Sequence, residues 1–396
     1  MAGPAPRLGP ALGNAGLVHD AYVAVDGGRI LGVGPMTAIP RDWRLAREVY
    51  DAAGQTVLPG FVDPHTHVVH AGDRTGEFRE RLRGLSYAEI GRRGGGILST
   101  VAATRAATVD RLVAEARPRL RRMLATGTTT AEVKSGYGLT TEDELKMLDA
   151  IARLDEPVEL VATLLGGHEV PMEARADPEH YVNLVVNEMT PAAARQGIAR
   201  FCDVFCESGV FDADQSRRML RAGLEAGLQP RLHADQLTGC GGAELAAAVG
   251  ARTAAHLEQV SEAGIRAMAG AGVMAVLLPG ASFFLGIEHA PARRLIDAGV
   301  AVALGTDCNP GSCPIESMAV IVGLACVALR LTPEEALCAA TLNAAWALNV
   351  HDRLGSLEPG KQADLIAIAD RDPAAIPYRF GSNLVTAVWK RGQRVV

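Results

Sequence analysis

The chain predicts an α/β fold, a closed (β/α)8 barrel of TIM type joined to a small β-sandwich domain built from both termini. Three observations lead there. Through the middle of the sequence, apolar strand-like runs alternate with amphipathic helical segments, the signature of βα units around a parallel sheet. The runs number eight, which suits closure. Both ends are instead rich in short strands and tight turns, which suits one sheet domain assembled from the two termini.

Residues 1–57 supply the first part of that small domain. Ala21-Tyr-Val-Ala-Val, Asp26-Gly-Gly and Arg29-Ile-Leu-Gly-Val-Gly read as a hairpin, because glycines after Asp26 supply the positive φ of a two-residue turn. The barrel is expected over 58–358, with strands at 58–67, 128–133, 158–165, 203–207, 229–233, 252–256, 273–278 and 300–305. Helices are expected at 111–126, 143–153, 214–226 and 243–249, where apolar residues recur three to four positions apart. A doubly wound open sheet fits the alternation too, but no G-x-G-x-x-G follows a first strand. Gly94-Gly-Gly follows a helix-like segment and reads as a flexible loop. The long excursion at 68–124, with Arg74, Arg79, Arg81 and Arg83, reads as a functional lid. Residues 359–396 return to strand texture in Asp364-Leu-Ile-Ala-Ile and Val385-Thr-Ala-Val-Trp, completing the small domain.

Composition narrows the function. The 39 Lys+Arg against 45 Asp+Glu give a net charge of −6, with no basic block to follow a phosphate backbone, so no nucleic acid is expected as a partner. Hydrophobic residues at 48% supply a core and charged residues at 21% a hydrated surface. No window approaches about 18 uninterrupted apolar residues, and the start lacks a basic segment followed by an apolar one, so neither membrane nor export is expected. Seven cysteines without a C-x-x-C read as reduced thiols of a cytoplasmic protein.

A barrel of this type builds its site at the C-terminal ends of its strands, so the residues closing each run carry the chemistry. Val57-Leu-Pro-Gly-Phe-Val-Asp-Pro-His65-Thr-His67 delivers two histidines two positions apart, on one face of a strand. The other runs close on Glu132, Lys134, Ser135 and Tyr137; on His168 and Glu169; on Glu207; on His233, Asp235 and Gln236; on His256 and Glu258; and on Asp307 and Asn309. A catalytic mononuclear metal site needs three or four ligands and an open position for water. His65, His67, His233 and Asp307 offer three neutral imidazoles and one carboxylate, suited to one divalent ion. Singly, each has a bland reading: a hydrogen-bonded strand-end histidine, or a turn-capping aspartate in Gly-Thr-Asp307. Unrelated structural roles would not gather all four at one end of a barrel.

Pro59-Gly-Phe-Val-Asp-Pro-His-Thr-His67, followed by His233 and Asp307, resembles the metal-dependent amidohydrolase superfamily. Thr129-Thr-Ala-Glu-Val-Lys-Ser-Gly-Tyr-Gly-Leu, Gly94-Gly-Gly-Ile-Leu-Ser-Thr-Val, Leu232-His-Ala-Asp-Gln-Leu, Leu277-Leu-Pro-Gly and Thr306-Asp-Cys-Asn-Pro-Gly-Ser narrow the match. Together they resemble the imidazolonepropionases of histidine degradation, from about Ala21 to the C-terminus. His-x-His alone is weakly specific; the Glu-Val-Lys-Ser-Gly-Tyr-Gly and Asp-x-Asn-Pro-Gly-Ser blocks together are strong. The resemblance implies a small-molecule substrate, 4-imidazolone-5-propanoate, hydrolysed to N-formimino-L-glutamate with a single zinc or iron ion on His65, His67, His233 and Asp307. It also implies that Arg74, Tyr137, His168, His256, Asn309 and Gly311 surround the substrate and that Gln236 lies beside the ring. Elementary chemistry suits those roles. Asp307 accepts the water's proton, the metal or a donor such as His256 meets the developing oxyanion, and Asp307 or His168 returns a proton to the leaving nitrogen. Arg74 and Tyr137 hold the propanoate, with Arg81 and Arg83 as competitors for the Arg74 role. A homodimer is the expected assembly.

The chain departs from the family's pattern at three positions. Gln236 stands where some members carry Glu, and an amide cannot shuttle protons at neutral pH; Ala255 stands where an Asp is expected, and Glu169 where a small residue is. Rivals on the same scaffold, a nucleobase deaminase or a cyclic-imide hydrolase, would keep the same ligands. A two-metal rival would need a carboxylated lysine, for which Lys134 is the candidate, although its Val-Lys-Ser-Gly-Tyr context favours a structural or loop-anchoring role. A non-catalytic barrel would leave Asp307, His256 and His168 no reason to converge.

Overall fold

The computed structural model describes residues 2–85, 89–90 and 95–396. The chain begins with a hairpin, β1 (Ala21–Asp26) and β2 (Arg29–Pro35), turning at Gly27 and Gly28 with φ of 54° and 78°. Then come β3 (Thr56–Pro59) and β4 (Phe61–Asp63), β5 (Thr128–Lys134), β6 (Glu159–Gly167), β7 (Phe201–Cys206), β8 (Gln229–Ala234), β9 (Thr253–His256), β10 (Met274–Leu277) and β11 (Val302–Leu304). The last strands are β12 (Leu365–Ile368), β13 (Val385–Lys390) and β14 (Gln393–Arg394).

Strands β4 to β11 form the eight-stranded sheet, each parallel to its neighbours in chain order. The first and last strands meet just past their ends, where His67 N–H donates to Cys308 O at 2.9 Å and Asp307 N–H to His65 O at 3.0 Å. The barrel thus closes through the backbone of the residues proposed as ligands. Strands such as β10 (Met-Ala-Val-Leu) and β11 (Val-Ala-Leu) are buried along their length, as a parallel sheet covered by helices requires.

Four of the covering helices lie within two residues of their expected positions, at Val109–Ala125, Thr141–Ala152, Ala213–Glu225 and Gly242–Ala248. Side chains set three of their starts: Thr108 and Thr140 accept N–H groups of the first turn, and Asp212 with Gln215 forms a capping box.

One strand differs from expectation. The run expected at 58–67 is cut at Gly60: β3 pairs antiparallel with β12, and only β4 enters the barrel. A Cβ at position 60 would fall into the Thr129 side chain, so the crossing from one sheet to the other needs glycine. The small domain holds the four-stranded sheet β14-β13-β12-β3 and the β1–β2 hairpin. Ile30 N–H donates to Lys361 O at 2.8 Å and Ala363 N–H to Gly28 O at 2.9 Å, so the two ends of the chain meet there.

The excursion between β4 and β5 carries an exposed helix at Thr75–Leu82 and a second at Ile97–Ala106. Of the glycine run read as a flexible loop, Gly94 lies outside the described residues; Gly96, at φ 74°, caps the start of the second helix. No helix among the described residues is long and apolar enough to cross a membrane.

Candidate active site

At the C-terminal mouth of the barrel three imidazoles face one another. His65 Nε2 lies 3.1 Å from His233 Nε2, and His67 Nε2 lies 3.4 Å from His233 Nε2. Asp307 Oδ1 stands 3.6 Å and 3.5 Å from the Nε2 atoms of His65 and His67. Ligands at 2.0–2.1 Å in a tetrahedron are about 3.4 Å apart, so these separations match the edges of a zinc-sized coordination shell. Two overlapping donor groups share His65, one with His67 and His233, the other with His256 and Asp307. Burial, with the charge of Lys134 and the neighbouring rings, holds the pKa of His65 and His67 well below the ordinary histidine value. Burial also lowers His233, against the raising pull of Asp203. Neutral imidazoles are the form that binds a metal. The donor set therefore fits a metal ion.

Beneath the imidazoles lies a charged floor. His233 Nδ1 bonds Asp203 Oδ1 at 3.0 Å, and Lys134 Nζ donates to Asp203 Oδ2 at 2.7 Å and Glu132 Oε1 at 2.6 Å. Glu132 Oε2 accepts the Thr66 N–H at 3.2 Å, while Arg231 donates to Pro64 O at 2.7 Å. Burial alone would raise the Asp203 carboxyl, but the charges and hydrogen bonds of His233 and Lys134 outweigh it and hold the pKa well below the usual carboxylate range.

Around the imidazoles stand three more of the expected residues. The His168 ring stacks on His67 with centroids 5.1 Å apart, Tyr137 lies 5.2 Å from His168, and His256 lies 5.4 Å from His233. His168 Nδ1 is 2.8 Å from Gly136 O, so it carries the proton and leaves Nε2 an acceptor. Burial pushes His168 down to about 3. Burial also opposes protonation of His256, but Glu258, 3.7 Å from Nδ1, and Asp307 and Asp203 outweigh it and raise the pKa. Burial raises Asp307 to about 6, against the His256 charge. Asp235, His256 and Asp307 have φ of 50°, 75° and 53°, left-handed backbone that costs a non-glycine residue and gathers at functional sites.

Arg74 and Gly311 meet on another side. The Arg74 guanidinium packs so closely on Gly311 that a Cβ there would overlap it, and its Nε donates to Glu77 Oε2 at 2.7 Å. A cavity of about 310 Å³ opens here, lined among others by His70, Arg74, Phe78, Arg81, Phe284 and Gly311. Asn309 follows Asp307 by two positions. Its Nδ2 donates to Asp307 O and Ser312 Oγ, and its Oδ1 accepts from Gly311 N and Ser312 N, so all four positions of the amide shape the turn after β11. Gln236, just past β8, is buried.

A family model described as Amidohydrolase family matches residues 71–396. The imidazolonepropionase of Geobacillus kaustophilus is 50% identical over 99% of this chain and 94% of its own length. That of Alkaliphilus metalliredigens is 48% identical over 99% and 94%. This chain belongs to the imidazolonepropionase family of amidohydrolases. Two solved structures share the fold at low identity. Escherichia coli guanine deaminase superposes with a TM-score of 0.72 at 16% identity, covering 96% of this chain and 92% of that one. A zinc-bound adenosine deaminase from Xanthomonas campestris gives 0.70 at 20%, covering 95% and 88%.

In this imidazolonepropionase-family chain, sequence reasoning passed over several residues around the site. Asp203 and Arg231 escaped it, although Arg231 precedes His233 by two positions and so shares its face of the strand. Glu144 was also missed; its carboxylate accepts the N–H groups of Gly136, Gly138 and Leu139 at 2.7–2.8 Å, which shapes the turn that carries Tyr137. Glu207 and Asp235 close strands as expected, yet both turn aside. Glu207 takes the N–H of Leu237, and Asp235 those of Cys240 through Ala243. Lys134, the candidate for a carboxylated bridge between two metals, is instead clasped by two carboxylates, as an ammonium would be.

Proposed function

We propose that this chain hydrolyses the cyclic amide of 4-imidazolone-5-propanoate to N-formimino-L-glutamate. The observation that carries the reading is its half identity, over nearly its whole length, with imidazolonepropionases. One zinc or iron ion per chain, held by His65, His67, His233 and Asp307, belongs to the same reading. So does a cytoplasmic homodimer in which the barrel at 58–358 carries the site and 1–57 with 359–396 form the small domain.

When bound, the metal lowers the pKa of a water so that hydroxide is available near neutrality. Asp307 takes the water's proton as the ring carbonyl is attacked; its carboxyl, raised by burial to about 6, is suited to accept that proton and give it up again near neutrality. His256, raised by the carboxylates around it, donates a hydrogen bond to the oxygen on which negative charge develops. His168 offers Nε2 as an acceptor for a ring N–H, and the buried amide of Gln236 orients the ring without moving protons. Return of the proton to the leaving nitrogen then falls to Asp307 rather than His168, whose ring burial keeps neutral. Arg74 and the Tyr137 hydroxyl hold the propanoate, and Gly311 leaves room for the guanidinium. Asn309 supports the reaction through the turn that presents Asp307.

The test is product analysis. Purified protein incubated with 4-imidazolone-5-propanoate should yield N-formimino-L-glutamate without ammonia. Ammonia released from guanine, cytosine or adenosine, with imidazolone propanoate untouched, would overturn the proposal.

A further inference from the structure

The interior of a (β/α)8 barrel is ordinarily filled by layers of branched apolar side chains. Here strand alternation sends Glu132 and Lys134 of β5, Asp203 of β7 and Arg231 of β8 inward instead, with relative exposures of 0, 0, 3 and 1%. Each buried ion costs several kcal/mol in lost hydration, and replacing a buried ion pair by well-packed apolar residues is often neutral or stabilising. Stability is therefore a poor reason for four such groups. Their contacts give a better one.

The four charges alternate in sign and sum to zero. Arg231 Nη1 stands 3.9 Å from Glu132 Oε1, and Lys134 Nζ bridges Glu132 to Asp203. From this lattice three arms reach the imidazoles. Asp203 Oδ1 meets His233 Nδ1, Glu132 Oε2 takes the N–H of Thr66, and Arg231 grips the carbonyl of Pro64. The last two contacts fall on the peptide groups either side of His65, and His67 follows directly on the second. Among the described residues Nδ1 of His65 and Nδ1 of His67 have no hydrogen-bond partner, so those two rings are placed by their backbone and by packing on neighbouring rings rather than by a side-chain hydrogen bond.

We propose that the Arg231–Glu132–Lys134–Asp203 lattice is a positioning device that presets the metal cage before any ion enters, with Asp203 fixing His233 as the Nδ1–H tautomer. The inference rests on His65, His67 and His233 being ligands. Asp203 holds the proton on Nδ1, which leaves the Nε2 lone pair free to point into the cage. Lys134 cannot be replaced by a neutral group alone, because the facing carboxylates of Glu132 and Asp203 would then repel each other. The arrangement makes each of the four residues act through the histidines, without touching substrate.

Asp203→Asn isolates the effect. An asparagine that keeps its oxygen on His233 turns its NH2 towards the Lys134 ammonium, donor against donor. Zinc titrated into the metal-free proteins should bind Asp203→Asn about 10- to 100-fold more weakly than wild type, the usual cost of losing an outer partner of a metal-bound histidine. Far-UV circular dichroism should be unchanged. An affinity within twofold of wild type in a folded variant would overturn the proposal.

A second measurement uses the unaltered chain. In metal-free wild-type protein labelled with 15N-histidine, the His233 ring, assigned by comparison with His233→Gln, should be almost wholly the Nδ1–H tautomer. An Nε2–H tautomer, or an even mixture, would overturn the proposal even if Asp203→Asn failed to fold. A wild-type chain that bound no zinc at all would instead overturn the ligand assignment, and the inference with it.

Discussion

Replacing Gly311 by alanine tests where the substrate's carboxylate is read. The new methyl would occupy the space of the Arg74 guanidinium, overlapping Nη1 and lying 3.1 Å from Nη2. Arg74 cannot simply swing aside, since its Nε is held by Glu77, whose other oxygen takes the Gly96 N–H and the Ser99 hydroxyl, both at 3.0 Å. Gly311 itself does not lie in left-handed backbone, so alanine brings no conformational penalty of its own. The loss is then that of a charge-assisted pairing with the propanoate, about 1.5–3 kcal/mol, or about 10- to 150-fold. Steady-state ring opening should show this mainly as a raised KM, with kcat within about threefold of wild type. Arg81→Ala provides the contrast. Arg81 lies over the rings of Phe284 and Phe78, at 4.7 and 5.7 Å, and its loss should change KM by less than about threefold. An unchanged KM in folded Gly311→Ala, or an equal rise in Arg81→Ala, would refute the Arg74 assignment.

Two further outcomes follow from the same geometry. His233→Ala should lose metal and activity together, measured by metal analysis and turnover on one sample; a variant that kept a full complement of metal would contradict its role as ligand. For pH, burial, aided by the Arg119 charge, pushes His70 down to about 3, against about 6.5 in the unfolded chain. The folded state therefore keeps His70 neutral while the unfolded state gains a proton below about 6.5, so this contribution is present above that pH and fades as pH falls. Between pH 7.5 and 5 the loss is about 2 kcal/mol. Urea unfolding at both values should show His70→Gln losing about 2 kcal/mol less than wild type; equal losses would contradict the assignment.

The barrel was legible because its strands are apolar runs separated by helices with recognisable caps, as at Thr108, Thr140 and Asp212. The cluster of His65, His67 and Asp307 was legible because the two histidines stand two positions apart just past β4, where backbone bonds to Asp307 and Cys308 close the barrel. The break at Gly60 was not. Val57 through Val62 is apolar whether the segment serves one sheet or two, and only the contact with Thr129 reveals where it crosses. The floor was hidden for a different reason: Lys134 and Asp203 are 69 residues apart, and no local pattern says that they pair. Asn309 was legible by type and position, but not the hydrogen bonds that tie it into the turn holding Asp307, which no motif spells out.

Titrating metal into metal-free protein while recording ring opening of 4-imidazolone-5-propanoate tests the central claim most directly, because it joins the cage to the reaction. The rate should rise linearly with added zinc or iron and level off at one equivalent per chain. Turnover by metal-free protein, or a plateau reached only at two equivalents, would contradict a reaction run by one ion on His65, His67, His233 and Asp307.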